Sequence, residues 1–213
     1  MTLLTKVVPP NLPIAKDDFT RLDEEYFRNV LRLYFNQLSQ LVNNLAGGIG
    51  GQYLQFPYAA IQRTTNKSFT ANTPTQITFD QSDYLNGCTN SGLDGIQVSY
   101  EGIYNYQFSV QLRNADTQIH SAWIWLRKNG VDIAGTGSKF DVISSHGGTD
   151  GFVIAACNFF VDLSAGDTIE MWAAVNDTHI TFDASAAATV PFAMPAIPSV
   201  VATLSFVSTL PVA

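Results

Sequence analysis

The sequence is short of charged residues. Asp, Glu, Lys and Arg make up 14% of its 213 residues, whereas about 25% is usual in a globular chain. Interface cores are depleted of charge, so this composition suggests a surface that contacts other protein over much of its area. The net charge of -7 is the wrong sign for binding phosphates, which requires clustered Lys and Arg. We therefore expect no nucleic-acid partner.

Cysteines and long apolar runs are also scarce. Cys88 and Cys157 are the only cysteines, too few for a disulfide framework or for a structural zinc site, which usually takes four ligands. We expect both to be free thiols, with Cys157 in the core. No segment approaches the roughly 18 apolar residues of a membrane span, and Met1 to Val8 is too short an apolar run for a secretion signal. We expect no membrane insertion and assembly in the cytoplasm of the producing cell.

Motifs for catalysis and metal binding are missing. The histidines lie far apart in the sequence, at His120, His146 and His179. None belongs to a ligand-spaced pair such as H-x-x-x-H, and no nucleophile elbow is present. The acid pairs Asp80/Asp83 and Asp141/Asp150 resemble solvated turn residues more than a glycosidase site. We expect a non-enzymatic protein without a cofactor or a metal site.

The first residues have the pattern of an attachment arm. Residues 1–16 contain Pro9, Pro10 and Pro13, which remove backbone donors and disfavour helix. The arm should be extended, with too little apolar surface to fold alone. We expect it to dock on another protein. Further along, residues 47–51 (GGIGG) should form a flexible hinge.

Residues 17–46 predict one helix. Asp17 and Asp18 can cap its start, and Gly47 and Gly48 can end it. Its main apolar positions alternate in steps of four and three, at Phe27, Leu31, Tyr34, Leu38, Leu41 and Leu45. This heptad rhythm is typical of a coiled-coil seam between similar helices. The alternative is an amphipathic helix that folds back on its own domain.

Residues 52–213 predict an all-β head. Strand-like runs are separated by turn signals such as Asn129-Gly130 and Gly166-Asp167. The expected strands are 55–63, 75–80, 96–100, 103–113, 121–127, 131–134, 138–144, 151–163, 168–175, 178–183 and 200–209. Eight to ten strands in about 160 residues favour a two-sheet jelly-roll sandwich.

One strand indicates a partner surface. Residues 103–113 alternate apolar and polar, but residues 151–163 are largely apolar on both faces. Only one face of a sandwich strand meets the internal core, so the other face should meet a second subunit, or else a long loop. The expected core and trimer-interface aromatics are Phe56, Tyr58, Tyr104, Tyr106, Phe108, Trp123, Trp125, Phe159, Phe160, Trp172 and Phe206.

Three motifs resemble the C1q/tumour-necrosis-factor-like jelly roll. Residues 102–108 (GIYNYQF) resemble its G-x-Y-x-F strand, residues 126–131 (LRKNGV) its L-x-x-N-G hairpin, and residues 163–169 (LSAGDTI) its L-x-x-G-D-x-V turn. The resemblance covers about residues 53–210 and implies a C1q/TNF-like head. No collagen-like repeat accompanies it.

The chain also resembles small virion proteins of tailed bacteriophages. The resemblance is carried by residues 34–38 (YFNQL), 56–58 (FPY), 116–120 (DTQIH), 124–130 (IWLRKNG), 145–148 (SHGG) and 158–160 (NFF). It implies a homotrimer in the virion, anchored to other virion proteins by its N-terminus.

Three functions are open at this point. The first is a short tail or baseplate fibre whose head contacts a host-surface glycan or protein. The second is a capsid decoration protein that stabilises the assembled head, and the third is a polysaccharide depolymerase. The expected receptor-contact residues lie in loops, at Asp116, Thr117, Gln118, His120, His146, Asp150, Asn176 and His179.

Overall fold

The computed structural model describes residues 8–12, 18, 20–46, 56–90 and 94–210. The chain divides into two units, Met1–Gln55 and Phe56–Ala213, and each is described by itself. The fold is mainly β, with 49% of residues in strands, two antiparallel sheets and one helix. The expected β sandwich is therefore confirmed. The predicted hinge at 47–51 and most of the predicted arm at 1–16 lie outside the described residues.

The helix, α1, spans Arg21–Ala46. Its cap is Thr20: the backbone N–H of Thr20 donates to Asp23 Oδ2 (3.0 Å), and the N–H of Asp23 donates to Thr20 Oγ1 (3.3 Å). This reciprocal capping box satisfies backbone donors that the first turn leaves free. The predicted cap at Asp18 is wrong, because the side chains that bond reciprocally are three residues apart at Thr20 and Asp23. The other predicted cap, Asp17, lies outside the described residues. Among the described residues, no helix has both the length and the apolar character needed to cross a membrane.

Fourteen strands are described in the second unit. They are β1 (Tyr58–Arg63), β2 (Lys67–Ser68), β3 (Thr75–Gln76), β4 (Gln81–Asn86), β5 (Cys88–Asn90), β6 (Ile96–Val98), β7 (Gly102–Asn114), β8 (His120–Lys128), β9 (Val131–Asp132), β10 (Ser138–Val142), β11 (Gly151–Leu163), β12 (Thr168–Val175), β13 (Ile180–Phe182) and β14 (Val200–Ser208).

The strands form two seven-stranded sheets. In the first sheet, β11, β7, β14, β1 and β4 are successive neighbours; β13 also pairs with β7, and β2 with β13. In the second sheet, β10, β8, β12, β6 and β5 are successive neighbours, with β9 on β8 and β3 on β12. Every pairing between these strands is antiparallel.

The hydrophobic core lies between the two sheets. From the first sheet, β7 buries every second side chain, including Tyr104, Tyr106 and Phe108. From the second sheet, β8 and β12 bury Leu126 and Met171. The alternation in β7 reflects the two-residue period of a strand with one face inward. The prediction of Tyr104, Tyr106 and Phe108 as core residues is confirmed.

Strand boundaries follow the strength of the apolar pattern. β11 and β12 match the predicted ranges 151–163 and 168–175. The predicted strand 75–80 is regular only at Thr75–Gln76, although Ile77 and Phe79 are buried. Three strands were missed: β2, β4 and β5. β4 contains no buried residue, so it lacks the alternation by which a half-buried strand is recognised.

Candidate functional site

Three loops of the second unit converge at one end of the sandwich. β8 begins beside the ends of β10 and β12, because these neighbours are antiparallel. β11 likewise begins beside the end of β7. The loops 115–119, 143–150 and 176–179 therefore lie together at this end, which we call the loop end. They contain all the residues predicted to contact a receptor except His120, which is the first residue of β8.

Asn114, the last residue of β7, organises the loop end. Its side chain is fully buried. Its Nδ2 lies 2.8 Å from the carbonyl oxygen of Gln118 and 3.3 and 3.2 Å from those of Val142 and Ile143. Its Oδ1 accepts a 2.9 Å hydrogen bond from the backbone N–H of Asp116. One amide thus joins two loops, a role that the sequence analysis missed.

A His–Asp cluster lies at the loop end. The cluster comprises Asp116, His120, Asp177 and His179. His120 Nε2 is 2.7 Å from Asp116 Oδ2 and 3.9 Å from Asp177 Oδ2, while His179 Nδ1 is 2.6 Å from Asp177 Oδ1. The two imidazole rings are nearly parallel, with centroids 6.4 Å apart. The fold thus brings together His120 and His179, which lie far apart in the sequence.

Hydrogen bonds in the His–Asp cluster favour the charged forms of Asp116, Asp177 and His179. The hydrogen bond with His120 lowers the pKa of Asp116. Hydrogen bonds from the backbone and ring of His179 lower the pKa of Asp177. In turn, the hydrogen bond to Asp177 raises the pKa of His179. The side chain of His120 is only 14% exposed, so one imidazole is held inside the loop end while the other faces solvent.

Other predicted receptor residues stabilise the loops themselves. Asn176 Oδ1 accepts a 2.8 Å hydrogen bond from the N–H of Ser121. The N–H of Thr117 donates to Asp116 Oδ1 at 2.6 Å, and Gln118 contributes the backbone carbonyl that Asn114 contacts. These groups order the loop end by local side chain–backbone bonds.

The loop 143–150 contains the remaining two predicted contact residues. His146 is exposed and exchanges backbone hydrogen bonds with Thr149 across a turn. Gly147 and Gly148 have φ angles of 59° and 82°, which explains the glycine pair, because side chains disfavour that region. Asp150 accepts a 2.6 Å hydrogen bond from Arg113 Nε, so its carboxylate is held by an ion pair.

The outer face of the first sheet carries almost no charge. Side chains that point away from the core on β1, β14, β7 and β11 form what we call the neutral face. It comprises Tyr58, Ala60, Gln62, Val201, Thr203, Ser205, Ile103, Asn105, Gln107, Ser109, Gln111, Phe152, Ile154, Ala156, Asn158 and Phe160. On these four strands, charged side chains that point outward appear only at the ends, at Arg113 and Asp162. At one margin Gln62 is hydrogen-bonded to Asp83 of the adjacent β4. An exposed face without charge is typical of a surface that another protein covers.

The apolar part of the neutral face lies on β11. Phe152, Ile154 and Phe160 are 50%, 63% and 66% exposed. In the first sheet β11 pairs with β7 along one side, so its other side is a sheet edge. Its opposite face points inward, with Ala155 and Val161 buried. The prediction that this strand is apolar on both faces is confirmed.

The outer face of the second sheet is different. It carries Trp123, Trp125 and Trp172, which were predicted for the core or the trimer interface. Arg127 stacks on Trp172, 3.7 Å from the ring centroid, and the Trp125 Nε1–H donates to Asp132 Oδ1 at 2.7 Å. All three tryptophans lie outside the core. Like Trp172, Trp123 lies under a cation, with Lys139 Nζ 5.8 Å from its ring centroid, as cation–π contacts favour.

The other predicted head aromatics divide into two groups. Phe159 and Phe206 are partly buried against the core, and Phe206 makes an edge-to-face contact with Tyr104 at 5.6 Å. Phe56 and Tyr58 are each 45% exposed. Of the cysteines, Cys88 is buried and Cys157 half-buried, and both are free thiols. Burial raises the pKa of the Cys88 thiol to about 11, so it is a packing residue rather than a nucleophile.

The predicted coiled-coil seam lies along one side of α1. Phe27, Leu31, Tyr34, Leu38 and Leu41 are half-buried, and Leu45 is 37% exposed. Apolar side chains also lie off this stripe, including Leu22, Tyr26, Leu33 and Phe35, which are exposed. The apolar surface of the helix is thus broader than a two-position seam.

The acid pairs weighed for a glycosidase site have local partners. Asp80 accepts a 2.7 Å hydrogen bond from the N–H of Thr64, and Asp83 accepts one from Gln62 Nε2 at 2.8 Å. Asp141 is hydrogen-bonded to Ser121 Oγ at 2.6 Å. Each carboxylate thus stabilises a turn or a strand pair.

The sequence matches no protein-family model. A search of curated proteins found no relative either.

Proposed function

We propose that the chain is a structural virion protein of a tailed bacteriophage, a homotrimeric short tail or baseplate fibre. In this proposal the N-terminal arm anchors the trimer to the particle, the helices form a three-stranded coiled coil, and the β heads contact the host surface. The sequence resemblance described above suggests the virion. The main structural support is the neutral face, because it needs a protein partner.

The neutral face suits contact between identical subunits. A closed ring of three uses a heterologous interface, in which one patch meets a different patch of the next copy. Phe152, Ile154 and Phe160 offer a protruding apolar patch at the β11 edge. Ala60, Ser109 and the neighbouring small side chains offer a flat one. Covering β11 also removes an apolar sheet edge that would otherwise favour aggregation.

The β head is proposed to be a C1q/TNF-like jelly roll. Between β6 and β12 the chain crosses repeatedly between the two sheets, with β7 and β11 in the first and β8, β10 and β12 in the second. Such crossings are expected of a double Greek key. The three motifs that carry the resemblance fall on β7, on the β8–β9 hairpin and on the β11–β12 turn.

The head has its chain entry and its loops at opposite ends. Tyr58, at the start of β1, pairs with Ser205, which pairs with Asn105 near the start of β7. The loop end follows Asn114 at the other end of β7. At about 3.3 Å per residue, roughly 30 Å separate the two ends. A head attached at one end and free to make contacts at the other suits a fibre.

Host attachment is proposed to work by avidity. Each trimer would present three copies of the loop end, and several trimers on one particle would multiply the contacts. Weak individual sites then give a high apparent affinity, because each further contact is intramolecular. No single deep receptor pocket is required.

The location of the protein on particles is the first test. Gold labelling or cryo-imaging of whole particles should place it on the tail or baseplate. Particles made with a chain lacking residues 1–16 should lose it and adsorb poorly, while the truncated chain remains a folded trimer. Labelling of the capsid, with heads weakened by the deletion, would instead favour a decoration protein. Release of fragments from host polysaccharide by the purified chain would favour a depolymerase.

A further inference from the structure

We propose that Asp116, His120 and His179 form a binding site for a divalent transition-metal ion of the zinc type. The site would lie at the loop end of each head, with two imidazole nitrogens and one carboxylate oxygen as ligands. This inference concerns the geometry of the loops and is independent of the proposed virion function.

The donor atoms already lie close to a coordinating arrangement. One ligand atom from each of the three residues lies within 4.8 Å of the other two, and Asp116 Oδ2 is 2.7 Å from His120 Nε2. Ligands about 2.1 Å from a tetrahedral zinc ion are about 3.4 Å apart. Displacements of the ligand atoms by about an ångström would therefore be enough to admit the ion.

The donor types select the class of metal. Imidazole nitrogen together with carboxylate oxygen suits zinc and neighbouring transition metals. Calcium and magnesium prefer sites made entirely of oxygen ligands. Three protein ligands also leave a fourth position open to water or to an oxygen from a bound partner.

Asp177 supports the site as an orienting residue. Its Oδ1 lies 2.6 Å from His179 Nδ1, and its Oδ2 lies 3.9 Å from His120 Nε2. A carboxylate that fixes a ligating imidazole is a common feature of metal sites, since it sets the ring orientation and increases ligand basicity. Asp177 is thus hydrogen-bonded to the His179 ring and lies close to the His120 ring.

The loops that carry the ligands are tied to each other. The backbone N–H of Ala115 donates to the carbonyl oxygen of His179 at 3.2 Å, next to Asp116. Asn176, in the loop that carries His179, and Ser121, next to His120, exchange two hydrogen bonds. Two loops that are distant in sequence therefore hold their ligands in register before any ion binds, which lowers the ordering cost of binding.

The experiment is zinc binding by the full-length chain without a polyhistidine tag. Calorimetry with Zn²⁺ should give one ion per chain, and Ca²⁺ should give no comparable binding. Loss of an outer-shell partner costs about 10–100-fold in affinity, so Asp177→Asn should weaken binding by about that factor. His120→Ala and His179→Ala should each weaken it by at least about 100-fold. The matched control His146→Ala removes the remaining histidine and should bind Zn²⁺ like the wild type.

Two results would overturn the proposal. One is wild-type protein that binds Zn²⁺ more weakly than about 100 µM, a result that does not depend on whether any variant folds. The other is unchanged affinity in folded His120→Ala and His179→Ala, with circular dichroism as the folding check. Co²⁺ provides an independent readout: its spectrum should indicate nitrogen and oxygen ligands, and a thiolate charge-transfer band would contradict the assigned ligands.

Discussion

Asn129 Nδ2 donates a hydrogen bond to Asp167 Oδ1 over 2.7 Å. The backbone N–H of Thr168 donates to Asn129 Oδ1 at 2.8 Å in return. The Asn-Gly hairpin between β8 and β9 is thereby joined to the Gly-Asp turn between β11 and β12. Two of the motifs behind the jelly-roll resemblance are thus one physical unit, which explains why they occur together in this chain.

Asn129→Ala should destabilise the head by about 3–4 kcal/mol. The alanine loses both hydrogen bonds, at about 1 kcal/mol each, and must occupy a φ of 51°, which costs about 1–2 kcal/mol for an ordinary residue. Urea unfolding measures the decrease in the free energy of unfolding. Asn129→Gly is the matched control, since it tolerates this φ and loses only the side-chain bonds. Equal losses in both variants would mean that the backbone conformation contributes nothing.

The Asp167 carboxylate should make stability depend on pH. The hydrogen bond from the N–H of Ser164 holds its pKa below the usual 3.8, and Asn129 contributes to the same shift. A lowered folded-state pKa gives stability that is present above about pH 4 and lost as pH falls through the folded value. Urea unfolding between about pH 5 and pH 3 measures the free energy of unfolding of the wild type and of Asp167→Asn. The difference between the two should become smaller as pH falls. A difference that stays constant would contradict this role.

Ile154→Asp should disrupt the trimer without unfolding the head. Ile154 is 63% exposed on the neutral face, so a polar replacement should change the stability of a single head by no more than about 0.5 kcal/mol. An unpaired charge buried at an interface costs about 3–5 kcal/mol. Val131→Asp is the matched control, because Val131 is 70% exposed in β9 of the second sheet. Light scattering over a range of concentrations should show that Ile154→Asp dissociates at higher protein concentration than Val131→Asp does. The same concentration dependence in both variants would show that the neutral face is not part of the interface.

Leu38→Asp should separate the helices. Leu38 lies in the middle of the predicted seam, and an unpaired charge there is costly once the seam is buried. Ser39→Asp, at the exposed neighbouring position, is the matched control and should leave the seam intact. Crosslinking between helices, followed on gels, should fall for Leu38→Asp alone. Efficient crosslinking in Leu38→Asp would show that Leu38 is not in the seam. Little crosslinking already in the wild type would favour the alternative, a helix that does not pair with its copies.

The fold was predictable where one pattern dominates. The alternation of residues 103–113 and the continuous apolar run of residues 151–163 predicted β7 and β11 closely. One apolar face gives a two-residue period, and two apolar faces give a continuous apolar run. β4 was missed because its exposed side chains impose no such pattern. The sequence left open whether Trp123 and Trp172 lie in the core or at an interface. An aromatic residue under a cation resembles a core residue in sequence.

The His–Asp cluster could be predicted only in part. Asp116 and His120, like Asp177 and His179, are close in sequence, and all but Asp177 were among the predicted receptor-contact residues. Their meeting depends on β8 and β12 being antiparallel neighbours, a long-range pairing that no local pattern specifies. An Asp–His pair at each of two strand ends is the signal that could have suggested it, once that pairing was known.

The central claim is that three copies of the chain cover the apolar stripe of α1 and the neutral face. The molar mass of the purified full-length protein in solution tests it most directly, by sedimentation equilibrium over a range of concentrations. The account predicts about three times the chain mass of 23.2 kDa. A stable single chain of 23.2 kDa at all concentrations would contradict it.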